Sequence, residues 1–158
     1  MTELHSETAP PPTGSSARPF ADPGLYAEIT QFYAWHMALM DDREPDAWAD
    51  AYTEDAVFEE PGRTDVLRGR EAIRASITRR AAELAEAGVV MRHWMSNLMV
   101  TPLPDGTLRA QYYSLAMRAP RGQRPDIFAH VVCRDVLVRE GGQWFIRHRH
   151  IGIDALEH

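Results

Sequence analysis

The chain reads as an α+β domain: three N-terminal helices packed on one face of a curved, mostly antiparallel sheet, forming a cone around a pocket. Three observations predict it. Apolar residues recur at three and four ahead of Gly88, long strand-like runs follow it, and turn residues separate each run from the next. Helices grouped ahead of strands place the helices on one side of a sheet, and strong curvature of that sheet makes it a cone.

The first helix runs from Leu25 to about Asp41, begun near Asp22-Pro23, with Leu25, Ile29, Phe32, Tyr33, His36, Met37 and Met40 on its core stripe. Asp46 is placed to cap a second short helix through Trp48 and Tyr52. Ala56-Val57-Phe58-Glu59-Glu60 is a short strand stopped by Pro61-Gly62. A third helix spans about Arg70 to Ala87, with Ile73, Ile77, Ala81 and Leu84 on one side and Gly88 at its end. The strands Val89 to Leu103, Thr107 to Ala119, Asp126 to Arg139 and Gln143 to Ile153 then form a meander. Its turns are Pro104-Asp105-Gly106, Pro120 to Pro125 and Gly141-Gly142.

Composition bounds the function. With 158 residues and 44% hydrophobic content, one domain over residues 23–154 can enclose a ligand-sized cavity. Residues 1–22, rich in Pro, Ser, Thr and Ala, are expected to be a disordered tail, and residues 155–158 read as tag-derived. The net charge of −6 and pI near 5.6 argue against a nucleic-acid partner. The basic clusters Arg68-Gly69-Arg70, Arg79-Arg80 and Arg147-His148-Arg149 read as solvated faces. No apolar run is long enough for a membrane span, and the N-terminus lacks an apolar signal core. The single cysteine, Cys133, excludes an internal disulfide, fits a reducing compartment and lacks a catalytic triad. A cytoplasmic protein is expected. No nucleotide fingerprint, phosphate loop or nucleophile elbow is present, so no cofactor is implied. His148 and His150 alternate on the last strand without a third ligand, and no metal is expected.

Arg92-His93-Trp94-Met95-Ser96-Asn97 places an imidazole in a strand, well after the Asp41-Asp42 pair that ends the first helix. A histidine beside a carboxylate can pass a proton to and from a bound carbon acid or alcohol without metal, nucleotide or covalent intermediate. If His93 points inward, alternation turns Met95, Asn97 and Met99 inward as well. On the next strand the inward set is either Tyr112, Ser114 and Ala116 or Tyr113, Leu115 and Met117. On the third it is Val131, Cys133 and Asp135, or Phe128, His130 and Val132, which keeps His130 a candidate acid or base. His36, Met37 and Met40 complete a candidate pocket wall that also includes Met95, Asn97, Tyr112, Cys133 and Asp135.

The helix and strand order, Met40-Asp41 followed by Asp46-Ala47-Trp48, the Arg92-His93 to Asn97 strand, and the hairpin from Arg134-Asp135 to Gly141-Gly142-Gln143-Trp144-Phe145 carry a resemblance. Over Leu25 to about Asp154 the chain resembles the nuclear transport factor 2-like superfamily, and within it SnoaL-like proteins. That superfamily includes polyketide cyclases, scytalone dehydratase, steroid isomerases, bile-acid dehydratases and the non-catalytic β subunits of ring-hydroxylating dioxygenases. Fold therefore does not decide function.

The resemblance implies a dyad in which His93 is base and then acid while Asp41 orients it and stabilises the imidazolium. Met40 stands where scytalone dehydratase has a tyrosine, and Tyr33, two helical turns earlier, is the nearest phenol in its stead. Arg118 falls near that enzyme's second histidine, which argues against an identical dehydration. The implied activity is cofactor-independent cyclisation, dehydration or isomerisation of a small hydrophobic, polyketide-type metabolite. The alternatives are a dioxygenase β-type subunit and a ligand-binding module. Apolar area on the outer sheet face predicts a homodimer.

Overall fold

The computed structural model describes residues 19–62 and 64–153. Of the expected N-terminal tail, residues 1–18 lie outside the described residues, as do 155–158 at the other end. Residues 21 and 22 are part of the domain: the Ala21 N–H donates to Val100 O, and Asp22 caps the first helix.

Helix α1 (Pro23–Asp41) starts where Asp22 accepts from the Gly24 and Leu25 N–H groups with Pro23 in the first turn. Its buried residues, Ile29, Tyr33 and His36, follow the helical spacing of the core stripe. Helix α2 (Pro45–Asp50) has Glu44, not Asp46, at its N-cap, because Pro45 takes the first helical position and leaves Asp46 inside the first turn. Strand β1 (Tyr52–Glu59) begins four residues before the expected strand, directly after α2, and pairs with the two-residue β2 (Leu67–Arg68). Helix α3 (Arg70–Glu86) ends before Gly88, whose φ is 64°. The meander β3 (Val89–Pro102), β4 (Leu108–Pro120), β5 (Asp126–Glu140) and β6 (Gln143–Gly152) follows the expected boundaries within one or two residues.

The six strands form one open sheet in the order β2-β1-β6-β5-β4-β3, antiparallel except for the parallel β1–β6 pair. Register slips leave an extra residue at Asn97-Leu98 in β3, at Phe128 in β5 and at Arg147 in β6. Each bulge bends its strand, and together they curl the sheet so that its concave face receives α1 and α3. The core between them is built from Ile29, Tyr33, Trp48, Tyr52, Phe58, Ile73, Tyr112, Leu137 and Ile146. The architecture is the α+β one that the patterning predicts.

The bulges also decide which side chains face in. On β3, Met91, His93 and Met95 point toward the helices, but Asn97 adopts a left-handed φ of 53° and the phase then changes to Leu98 and Val100. Asn97 and Met99 are therefore exposed, not inward as simple alternation predicts. On β4 the inward set is Leu108, Ala110, Tyr112, Ser114 and Ala116. On β5 it is Cys133, Asp135 and Leu137, with Val131 half-buried above them. His130 is exposed on the opposite face, its register partner being Leu115.

Candidate functional site

Between α1, α3 and the concave sheet lies a cavity of about 550 Å3, large enough for a small polycyclic molecule. Met37 and Met40 from α1 and Ile73, Ile77 and Leu84 from α3 make its helical wall. The sheet contributes His93, Tyr112, Ser114, Ala116, Val131 and Cys133. Arg43, Glu60, Arg79, Arg80 and Glu83 also border it, with Arg80 paired to Glu60 at 3.2 Å. Apolar side chains supply most of the wall surface and charged groups border it, a make-up suited to an organic ligand.

His93 and Asp41 meet. The ring Nδ1 lies 2.7 Å from Asp41 Oδ1, and the His93 backbone N–H donates to Asp41 Oδ2 at 3.1 Å. One carboxylate thus holds both the ring and the strand that carries it. An ionised Asp41 makes Nδ1 the donor and leaves Nε2 as the nitrogen with a free lone pair. The side chains are 18% and 12% exposed, so solvent screens the pair only partly. His93 borders the cavity and Asp41 stands behind it, an arrangement able to take a proton from a bound molecule and return it elsewhere.

Tyr33 is elsewhere. It is fully buried, and its hydroxyl donates to Asp135 Oδ2 at 2.8 Å instead of entering the cavity. Burial, then the Asp135 charge, pushes its pKa well up, so it remains a phenol. Asp135 is likewise a core residue: Arg149 binds it in a fork, Nε to Oδ1 at 3.0 Å and Nη2 to Oδ2 at 2.6 Å. Arg149 Nη1 donates in turn to the Tyr52 hydroxyl at 3.0 Å, and the guanidinium lies 5.6 Å from the Tyr52 ring centroid and 6.0 Å from that of Tyr112. Although burial works against its charge, Asp135 and the neighbouring tyrosines hold the Arg149 pKa above its ordinary value.

The other expected site residues divide between wall and core. Met37, Met40, Tyr112 and Cys133 line the cavity, whereas Met95 packs against the hydrophobic core. His36 is fully buried between the rings of Phe32 and Trp48, its Nε2 lying 3.3 Å from Trp48 O. Burial, then the Arg149 charge, lowers its pKa well below the ordinary value, so it is a neutral packing residue. Burial raises the Cys133 thiol to about 11, which leaves it without thiolate character at neutral pH. Asn97 and His130 lie away from the cavity, for the bulge and phase reasons above.

Arg149 was not legible as a cavity residue, whereas Ser114 belongs to one of the two inward sets that alternation allows on β4. Arg149 belongs to a cluster that reads as solvated, yet it is 2% exposed and borders the cavity with Ile151 and Ile153. The alternation Arg149-x-Ile151-x-Ile153 is the signal that places it inward. Ser114 lines the cavity from the centre of β4, in register with Val131 of β5. Also among the described residues, no cluster of three or more metal-ligating side chains occurs, and no helix is long and apolar enough to cross a membrane.

Residues 25–150 match the family model of the SnoaL-like domain. Among solved structures, Aln2 from a Streptomyces species is 34% identical, with a TM-score of 0.80 over 87% of this chain and 96% of that one. A Catenulispora acidiphila protein in complex with S-DNPA is 31% identical, with a TM-score of 0.72 over 85% of this chain and 96% of that one. An NTF2-like protein from Novosphingobium aromaticivorans, 22% identical over 84% and 83% of the two chains, shares the fold with a TM-score of 0.71. No curated protein matches the sequence.

Proposed function

Because the chain belongs to the SnoaL-like domain family, we propose that it is a cofactor-independent acid/base enzyme, a cyclase, dehydratase or isomerase, acting on a small hydrophobic, polyketide-type metabolite. The observation that carries this reading is the 2.7 Å contact between Asp41 and His93 at the wall of a largely apolar cavity. His93 Nε2 removes a proton from an acidic C–H or a hydroxyl of the bound molecule. Asp41 stabilises the imidazolium that results, and His93 then returns the proton to a leaving hydroxyl, a second carbon or a new alkoxide. The cavity supplies the remaining factor, a substrate held folded with its reacting atoms close. Such proton transfer needs no cofactor.

The test is hydrogen–deuterium exchange at the acidic carbon of 2-tetralone in deuterium oxide, followed by proton NMR with wild type and His93→Ala. Exchange accelerated by wild type and not by the variant supports the dyad. Equal, background exchange in both removes the acid/base reading and leaves ligand binding alone. S-DNPA, bound by the Catenulispora protein, is the first ligand to titrate.

We also propose that the protein works as a homodimer joined through the outer sheet face. Trp94, 64% exposed, lies there in register with Leu115, beside Tyr113 and Ile127, and so much apolar area in one place favours a second copy. A reducing cytoplasm suits the free thiol of Cys133.

A further inference from the structure

Helix α3 lays an apolar stripe along the cavity, and one position in that stripe is charged. Ile73, Ile77, Arg80 and Leu84 recur at four, three and four, and all of them border the cavity. Strand β1 does the same. Ala56 and Phe58 are buried on its inward face, and Glu60, next in that phase, borders the cavity with Phe58. The two charges meet: Arg80 Nη1 donates to Glu60 Oε1 at 3.2 Å. The Glu60 side chain is 25% exposed, open to a ligand in the cavity it borders. Burial above all raises the Cys133 thiol and the Glu60 charge adds to it, so the carboxylate also acts on the β5 wall.

Stability alone does not call for this pair. A partly exposed ion pair adds little, and two apolar side chains in these core-facing phases would tie α3 to β1 with no desolvation cost. What the pair adds is recognition. A carboxylate has about four lone-pair sites and a guanidinium five N–H donors, and their mutual bond uses one of each. Two atoms 3.2 Å apart can both lie within hydrogen-bond distance of a single third oxygen. The group that uses both is a hydroxyl, which donates and accepts; a carbonyl or an ether only accepts, and leaves the carboxylate unserved. Because the two charges offset each other, a neutral hydroxyl brings in no unmatched charge. We propose that Glu60 and Arg80 form a hydroxyl-binding subsite, in which a phenol or enol hydroxyl of the substrate donates to Glu60 and accepts from Arg80.

The subsite deepens the acid/base reading and rests on it for its consequence. Glu59 pairs with His150 of β6, which sets Glu60 beside Ile151, and Ile151, Cys133 and Tyr112 share one level across β6, β5 and β4. His93 shares its level with Ala116 and Ala129, four residues along those strands from Tyr112 and Cys133, roughly 13 Å. In the strand order β1 and β3 also stand on opposite flanks of the curled sheet. The anchored hydroxyl and the carbon that faces His93 therefore lie at different ends of the bound molecule. Glu60 and Arg80 then select substrates hydroxylated away from the reacting carbon, and fix which carbon His93 meets.

The experiment is calorimetric titration with 2-naphthol, 2-methoxynaphthalene and the anion 2-naphthoate, on wild type, Glu60→Leu and His93→Ala. Wild type is expected to bind 2-naphthol about tenfold more tightly than its methyl ether, the size of one hydrogen bond to a charged acceptor. Glu60→Leu should abolish that preference while binding the ether as wild type does, which also shows that the cavity is intact. His93→Ala should keep the preference, because the hydroxyl is held at the other end. Equal binding of naphthol and ether by wild type overturns the subsite. So does a preference that survives Glu60→Leu, or one lost in His93→Ala, which would put the hydroxyl at the histidine. Tighter binding of 2-naphthoate than of 2-naphthol overturns it as well, since the bordering arginines would then be selecting an anion. Only binding is read, so a failed exchange assay at 2-tetralone and a failed subsite are separate results.

Discussion

Asp41 binds His93 twice, through the ring Nδ1 at 2.7 Å and through the backbone N–H at 3.1 Å. The second contact ties the end of α1 to β3, so the carboxylate sets the position of the strand as well as the tautomer of the ring. Asp41→Asn and Asp41→Ala therefore differ. The amide keeps a group of the same shape but cannot stabilise the imidazolium, and exchange at 2-tetralone should fall about a hundredfold or more. The alanine variant loses the same activity and also about 1 kcal/mol of stability from the unmet backbone donor. Urea denaturation of the two variants distinguishes them.

The buried Asp135–Arg149 pair predicts a large single-site cost and a smaller paired one. Asp135→Ala strands a buried guanidinium and the Tyr33 hydroxyl, and should cost about 3 to 5 kcal/mol. Asp135→Leu combined with Arg149→Met removes both charges and should recover much of that loss. Equilibrium unfolding of both proteins decides it, and equal destabilisation would count against a charge origin.

His36 makes stability depend on pH. Its folded-state pKa lies below the ordinary 6.5, so as pH falls the unfolded chain takes up the proton first. The stability associated with the neutral ring is complete above the unfolded value and is lost below it, at up to about 1.4 kcal/mol per pH unit, until the folded-state pKa is reached. His36→Phe should flatten the stability profile between about pH 6.5 and 5. A profile as steep as wild type would show that other groups dominate.

Asn97 holds the β3 bulge with a φ of 53°, a conformation that glycine adopts freely and β-branched residues do not. Asn97→Gly should be close to neutral, whereas Asn97→Val should cost about 1 to 3 kcal/mol. Thermal unfolding measures the difference. Equal effects would mean that the bulge relaxes.

If the outer sheet face joins two copies, charge placed there should part them. Trp94→Glu should shift the species seen by sedimentation velocity from dimer to monomer, with its circular dichroism unchanged. A wild-type monomer at micromolar concentration would refute the dimer.

The sequence by itself determined the order of elements, because hydrophobic period and turn residues are local properties. The helices of α1 and α3, the four-strand meander and the Asp41–His93 candidate pair are all legible there. What it left open is which way the strands face, since alternation holds only until a bulge, and a bulge depends on the register of two chain segments distant in sequence. Register shifts at Asn97-Leu98 and Phe128 exposed Asn97 and let Phe128 border the cavity. Tertiary structure alone decided that Tyr33 spends its hydroxyl on Asp135, and that Arg149, one of three basic-cluster residues in sequence, becomes a buried, charge-matched cavity wall. An arginine's environment is set by what packs over it, and here the partners come from β1, β4 and β5, with Tyr33 of α1 bound to the same Asp135, elements that only the curled sheet brings together.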